Sequence, residues 1–352
     1  MRARGAQLQQ LVDTVRIFKL LKRLPEHTHI QKILETHPDL ETLQQAVQTA
    51  VAQDLDQLIQ NWKREKPKPL PPYVPPPENS PHEFKDSVNL LRNSLAEEYD
   101  ADMKRAQYRA FGFSVSVAPS TLGIGAMNGT FINGRAKMGS IVAIYPGVAL
   151  SPADIIRLPN GTASLAKKNH IIARYDGTII DAGPEALRLL PPHARDLPLA
   201  VAHLVNHPPR GTQPNVLLCP IEYADLDGEL SMSLSSSEFI PSMRGSILDL
   251  KLLAPPETAQ ETSWFDKLDE WVRSSLADMA PAEEEKRVCD DGSTEALPPR
   301  QGLLLVTNRD VRDEELFLNY RLNPTARLPG WYHPVDVDED HRRWDGSNTV
   351  AR

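Results

Sequence analysis

Several things are scarce in this chain, and each shortage excludes something. Of its 352 residues only Cys219 and Cys289 are cysteines. Two cysteines make no disulfide framework, and neither has a His or Cys neighbour at ligand spacing, so no metal site is expected. Free thiols point to a reducing, intracellular compartment, nucleus or cytoplasm. No apolar run approaches the roughly 20 residues that cross a bilayer, so no membrane span is expected. Basic residues are in the minority, 39 against 47 acidic, for a net charge of -8. That deficit argues against direct nucleic-acid binding, which needs basic surface to displace counterions. It suits a basic protein partner, such as a lysine- or arginine-rich tail. Regular strand–helix alternation is also missing, which argues against a doubly wound parallel sheet.

Proline, by contrast, is abundant at 31 residues, and it helps to divide the chain. Residues 1–66 read as a helical N-terminal region. Its first 24 residues carry Arg2, Arg4, Arg16, Lys19, Lys22 and Arg23 against the single acid Asp13. Leu8, Leu11, Val12, Val15, Leu20 and Leu24 could form an apolar stripe there. That pattern fits an amphipathic helix packed on a domain, or a mitochondrial presequence. Asp39 can cap a second helix, whose apolar positions Leu43, Val47, Val51, Leu55, Leu58, Ile59 and Trp62 recur at three- and four-residue steps. Residues 67–81, "PKPLPPYVPPPENSP", form a proline-rich linker that cannot be helical. A connecting helix is expected over 82–110.

From Phe111 the pattern changes to short apolar or alternating runs bounded by Gly, Pro, Asn and Asp, which are strand signals. The expected fold class is therefore mostly β with α. The main domain runs over 111–325, with an acidic insertion at about 255–300. Within the insertion Ser263 can cap a helix carrying Trp264, Leu268, Trp271, Val272 and Met279. A tail with Trp331 and Tyr332 follows over 326–352.

Four stretches carry candidate chemistry. "LGIGAMNGTF" (122–131) is glycine-rich, but a strand-like run follows it where a dinucleotide site needs a helix. It is either a hairpin turn or a turn whose bare backbone lies against a ligand. Tyr145 ends a strand in "IYPG". In "VNHPPRGTQPN" two polar side chains, Asn206 and His207, close an apolar run and need partners. They bond either to the protein itself or to a ligand. In "EELFLNY" the alternation puts Leu316, Leu318 and Tyr320 on one strand face, and a phenol there needs a partner too.

In this order, the glycine turn, "AIYPG", the hairpin ending "IIDA", "VNH…PN" and "RDVRDEELFLNY" resemble the SET domain of protein lysine methyltransferases. The resemblance spans about Phe111 to Pro324. It implies several short sheets around a knot-like crossing, with the Asn-His segment threaded under the loop that precedes the terminal tyrosine. It implies S-adenosylmethionine as cofactor and the ε-amine of a lysine in a protein or peptide as substrate. Gly123, Ile124, Gly125 and Ala126 would cover the cofactor with backbone, and Asn206, His207 and Tyr320 would line its pocket. Tyr320 would be the catalytic residue and Tyr145 a wall of the lysine channel. Pro208, Asp313 and Asn319 stand where the family usually has a small polar residue, a glycine and an aspartate. The cysteine-rich tail of many members is absent, so Trp331 or Tyr332 would close the pocket. A SET-fold interaction module with little turnover is the alternative.

Overall fold

The structure, a computed structural model, describes residues 2–21, 40–123, 125–159, 161–165, 168–223, 240–244 and 300–345. Ile124, Leu24, Cys289 and the expected insertion helix lie outside them. The chain opens with three long helices: α1 (Arg2–Leu21), α2 (Leu40–Glu65) and α3 (His82–Phe111). Gly112, with φ of 83°, ends α3 by returning its N–H to Tyr108 O at 2.9 Å. That is a left-handed cap, a conformation glycine adopts without a Cβ penalty.

Three small sheets follow among the described residues. One pairs β1 (Phe113–Pro119), β2 (Asn128–Ala136) and β10 (Val311–Glu315) in that order. A second runs β3 (Ile141–Ile144), β9 (Arg300–Thr307), β7 (Val216–Tyr223). The third runs β5 (Ile171–Ala173), β6 (Ile179–Asp181), β4 (Gly147–Leu150), β8 (Ser242–Arg244). All these pairings are antiparallel except β4 with β8. The Asp176-Gly177 pair turns β5 into β6, with Gly177 at φ of 90°. Proline starts three short helices between the strands, at Pro152, Pro184 and Pro192. Its missing N–H costs nothing at a first helical position.

The helices and sheets share one hydrophobic cluster. Ile17 and Leu21 of α1, and Val51, Leu55 and Ile59 of α2, belong with Ile132, Ile144, Ile221 and Leu304 of the strands. Gln48 of α2 donates to Pro220 O at 2.5 Å and accepts from Glu222 N at 3.2 Å, so α2 is also bonded to β7. The buried face of α1 differs from the expected stripe. Gln9 and Asp13 lie on it beside Ile17, Phe18 and Leu21, while Val12 and Val15 are half-buried. A polar pair sits in that interface because Gln9 Nε2 bonds Asp13 Oδ1 at 3.2 Å and further partners reach Asp13 from the far end of the chain.

The alternating run after β10 also departs from expectation. The regular strand covers Val311–Glu315, and Phe317 and Leu318 make only isolated bridges. Leu316 and Leu318 are buried as predicted, but Tyr320 is 37% exposed and Asn319 is buried. The chain here leaves one ladder and enters a slot. Leu318 N donates to Asn206 O at 2.9 Å on one side, and Asn215 N donates to Phe317 O at 3.1 Å on the other. The 207–214 loop therefore straddles the 316–318 segment.

Asp313 holds a backbone conformation that suits glycine. It sits at φ of 46° in a β10 irregularity, where a glycine would be unstrained. Its Oδ1 accepts Gly134 N–H at 2.6 Å, which offsets the strain. Asp313→Ala keeps the strain and loses the bond, and should cost about 1 kcal/mol in urea unfolding. Asp313→Gly should cost less, because it relieves the backbone.

Candidate functional site

Asn206 and His207 are spent on protein partners, but not in the way a self-capping loop would spend them. Asn206 Nδ2 donates to Asn128 O and to Glu315 Oε1, both at 3.0 Å. Its Oδ1 has no partner among the described residues. His207 is 4% exposed and uses both ring nitrogens. Nδ1 accepts Tyr320 N–H at 3.3 Å, so the proton sits on Nε2 and goes to His333 O at 2.8 Å. Those partners fix the neutral tautomer. Burial also lowers the imidazole below its ordinary value.

Tyr320 is therefore beside the pair, although 113 residues separate it from His207. Its hydroxyl donates to Val205 O at 2.8 Å. Burial pushes the phenol up to about 12. The tail contributes two more rings. Tyr332 lies on His207 with centroids 4.4 Å apart, and Trp331 stands edge-on to Tyr320 at 6.2 Å. Tyr332 is buried, whereas Trp331 is 58% exposed.

On its other side Tyr320 lines a cavity of about 290 Å³. That is the small end of the range for ligand sites, roughly 300–1,000 Å³. Ile172, Ile179, Val205 and Leu318 give it an apolar wall, and Tyr145, Arg321 and Arg343 also line it. Burial raises the Tyr145 phenol far above its ordinary value, and Tyr320 and Asp181 add to this. Asn206, His207 and the glycine turn do not line the cavity. Tyr320 is the residue that joins the two regions.

The glycine turn is the loop of the β1–β2 hairpin, closed by Ser120 N to Met127 O at 3.0 Å. Gly123, Gly125 and Met127 have φ of 82°, 112° and 49°. A Cβ at Gly123 or Gly125 would meet nothing within 4 Å, so these two positions present bare backbone to open space. One carboxylate ties this turn to Asn206. Glu315 accepts Ser120 Oγ at 2.7 Å, Thr121 N at 2.8 Å, Thr121 Oγ1 at 2.5 Å and Asn206 Nδ2 at 3.0 Å. Burial alone would raise the Glu315 carboxyl, but hydrogen bonds from Thr121, Asn206 and Ser120 outweigh it and hold it below the usual range.

Sequence reasoning passed over Glu315, His170 and His203. The two histidines line the cavity with their rings edge-on, centroids 5.5 Å apart. His170 Nδ1 bonds His203 O at 3.0 Å. His203 is pushed down to about 4 by burial, with His170 adding to it, so it is neutral at working pH. Its Nδ1 is buried without a partner among the described residues. Only the count of histidines near the motif could have flagged them.

Cys219 is buried, and burial pushes its thiol up to about 12, which makes it inert. Among the described residues no group of three or more His, Cys, Asp or Glu could hold a metal, and no helix is long and apolar enough to cross a membrane. No family model, curated protein or solved structure matches the chain.

Proposed function

We propose that the chain transfers a methyl group from S-adenosylmethionine to the ε-amine of a lysine in a protein substrate, on a SET-type fold. The convergence of three distant segments carries this reading: Tyr320 contacts the Asn206–His207 segment, and Glu315 brings the glycine turn to the same place. The 207–214 loop straddling residues 316–318 supports the knot-like crossing that such a fold needs.

The residues present fit the cofactor. The bare backbone at Gly123 and Gly125 leaves room for close approach, Asn206 Oδ1 is an open acceptor, and Trp331 is an exposed ring beside His207. Gly123 to Ala126, Asn206, His207 and Trp331 would hold it, with Ile124 outside the described residues. When bound, this sulfonium supplies an already activated methyl, so no metal is required. The chain's own work is to hold a neutral amine in line, and good placement is worth roughly 7–11 kcal/mol. The cavity, apolar in part and lined also by Arg321 and Arg343, would take the lysine side chain and disfavour its ammonium form, whose unperturbed pKa is about 10.4. Tyr320, kept protonated, would offer its hydroxyl oxygen to the reacting groups while its proton stays on Val205 O. Tyr145 would line the same channel.

Titration calorimetry with S-adenosylhomocysteine, followed by methyl incorporation into a cell lysate, tests this. Asn206→Ala should weaken binding at least about tenfold, equal to about 1.4 kcal/mol. No binding by the wild type would end the proposal. A second reading, an interaction module without turnover, is favoured by one observation: the Asn206 amide nitrogen and both His207 nitrogens already have protein partners. Cofactor binding without transfer to any protein pool would select it.

A further inference from the structure

Arg321 directly follows Tyr320, and its side chain runs into the protein. It is 6% exposed and its backbone is left-handed, with φ of 49°. A β-carbon-bearing residue keeps that conformation only where its surroundings over-determine it. Here they do. Arg321 Nη1 and Nη2 donate to the two Asp13 oxygens at 2.6 and 2.9 Å, and Nε donates to Glu339 Oε2 at 3.1 Å. Arg321 O accepts Trp344 Nε1 at 2.7 Å. Arg16 closes the ring by pairing with Glu339 and lying 3.7 Å from Asp13. Tyr175 adds its hydroxyl proton to Asp13.

Asp13 is on α1, while Glu339 and Trp344 are on α4 (Val337–Asp345). Asp13 is 2% exposed and Glu339 3%, so both acids are buried and depend on this ring, with Gln9 a further donor to Asp13. A planar guanidinium gripped on two edges by two carboxylates has little rotational freedom. Two acids and two bases also leave the ring without net charge. Removing one member leaves a buried charge unpaired.

We propose that Asp13 and Glu339 are positioning residues for Tyr320. By clamping the Arg321 guanidinium they fix the backbone from which the phenol reaches Val205 O beside the cavity. The N-terminal helix and the C-terminal helix thereby become parts of one site that the 111–325 segment alone does not complete. The consequence for methyl transfer rests on the function proposed above, while the clamp itself does not.

The test uses the full chain with fluorotyrosine at position 320, read by fluorine NMR. Asp13→Asn and Glu339→Gln should move or broaden that resonance, and Gln57→Ala, at the exposed surface of α2, should not. In the unlabelled variants kcat for methyl transfer should fall about tenfold, with KM and S-adenosylhomocysteine affinity held within about twofold. If Asp13→Asn does not fold, Glu339→Gln decides, since it leaves the bidentate pair with Asp13 intact. An unmoved resonance in a folded variant overturns the proposal. A wild type that neither binds S-adenosylhomocysteine nor transfers methyl removes the catalytic reading, and the resonance still decides the clamp.

Discussion

Under the methyl transfer proposed above, Tyr320→Phe should lower the rate by about two orders of magnitude, the usual worth of one positioned dipole at a reacting centre. The ring that packs against His207 and Trp331 stays in place in this variant. S-adenosylhomocysteine should therefore still bind, and the thermal midpoint should move little, because one hydrogen bond to Val205 O is lost at a partly exposed site. The pH profile separates two roles for the phenol. With its pKa pushed up to about 12, Tyr320 stays protonated at every pH where the proposed transfer would be assayed. It can orient an amine but cannot take its proton, and His203, held near 4, is too weak a base for that step. The rate should rise with pH as the substrate amine deprotonates, with the same midpoint in wild type and variant. Loss of the rising limb in Tyr320→Phe would show instead that the phenol is the base.

The sequence made the sheets and the main motifs readable because they depend on local signals. Among the short runs that follow Phe111, strands formed at Phe113–Pro119, Ile141–Ile144, Val216–Tyr223 and Arg300–Thr307, and α3 came within a few residues of its expected span. The Asp176-Gly177 turn likewise needs only two residues to specify it. Of the candidate site, Asn206, His207 and Tyr320 were legible, because their types and order stand out, and the structure brings them together. What stayed hidden is what those residues are tied to. Asp13 reads as the lone acid in a basic helix, a solvated charge by any local rule, yet its partner is 308 residues away. Glu315 is one of two adjacent acids, and nothing local tells which one turns inward. Glu314 pairs with Arg309 in the same strand region, while Glu315 goes to the glycine turn. The choice is made by burial against β2, which periodicity of two cannot resolve in a strand with an irregularity at Asp313.

Glu315→Ala should then be the most destabilising change at the site, costing about 1–3 kcal/mol in denaturant unfolding, because neutral donors lose their acceptor. It leaves Thr121 N–H and the Asn206 amide without their acceptor and frees both the glycine turn and the Asn206 segment. Gly129 supplies an internal check. A Cβ there would lie 2.1 Å from Glu315 Oε1, so Gly129→Ala must displace the carboxylate and should cost nearly as much. In the Glu315→Ala background the obstruction is gone, and the same substitution should cost under about 1 kcal/mol. Additive costs would show that the steric contact is not what matters at Gly129. Acid gives a third view. The Glu315 pKa is lower folded than unfolded, so its contribution is complete above the unfolded value of about 4.3 and is lost as pH falls through the folded one. The stability gap between wild type and Glu315→Gln should accordingly be full at pH 7 and close only below about pH 4. A gap that is constant with pH would mean the carboxylate is not held by those four donors.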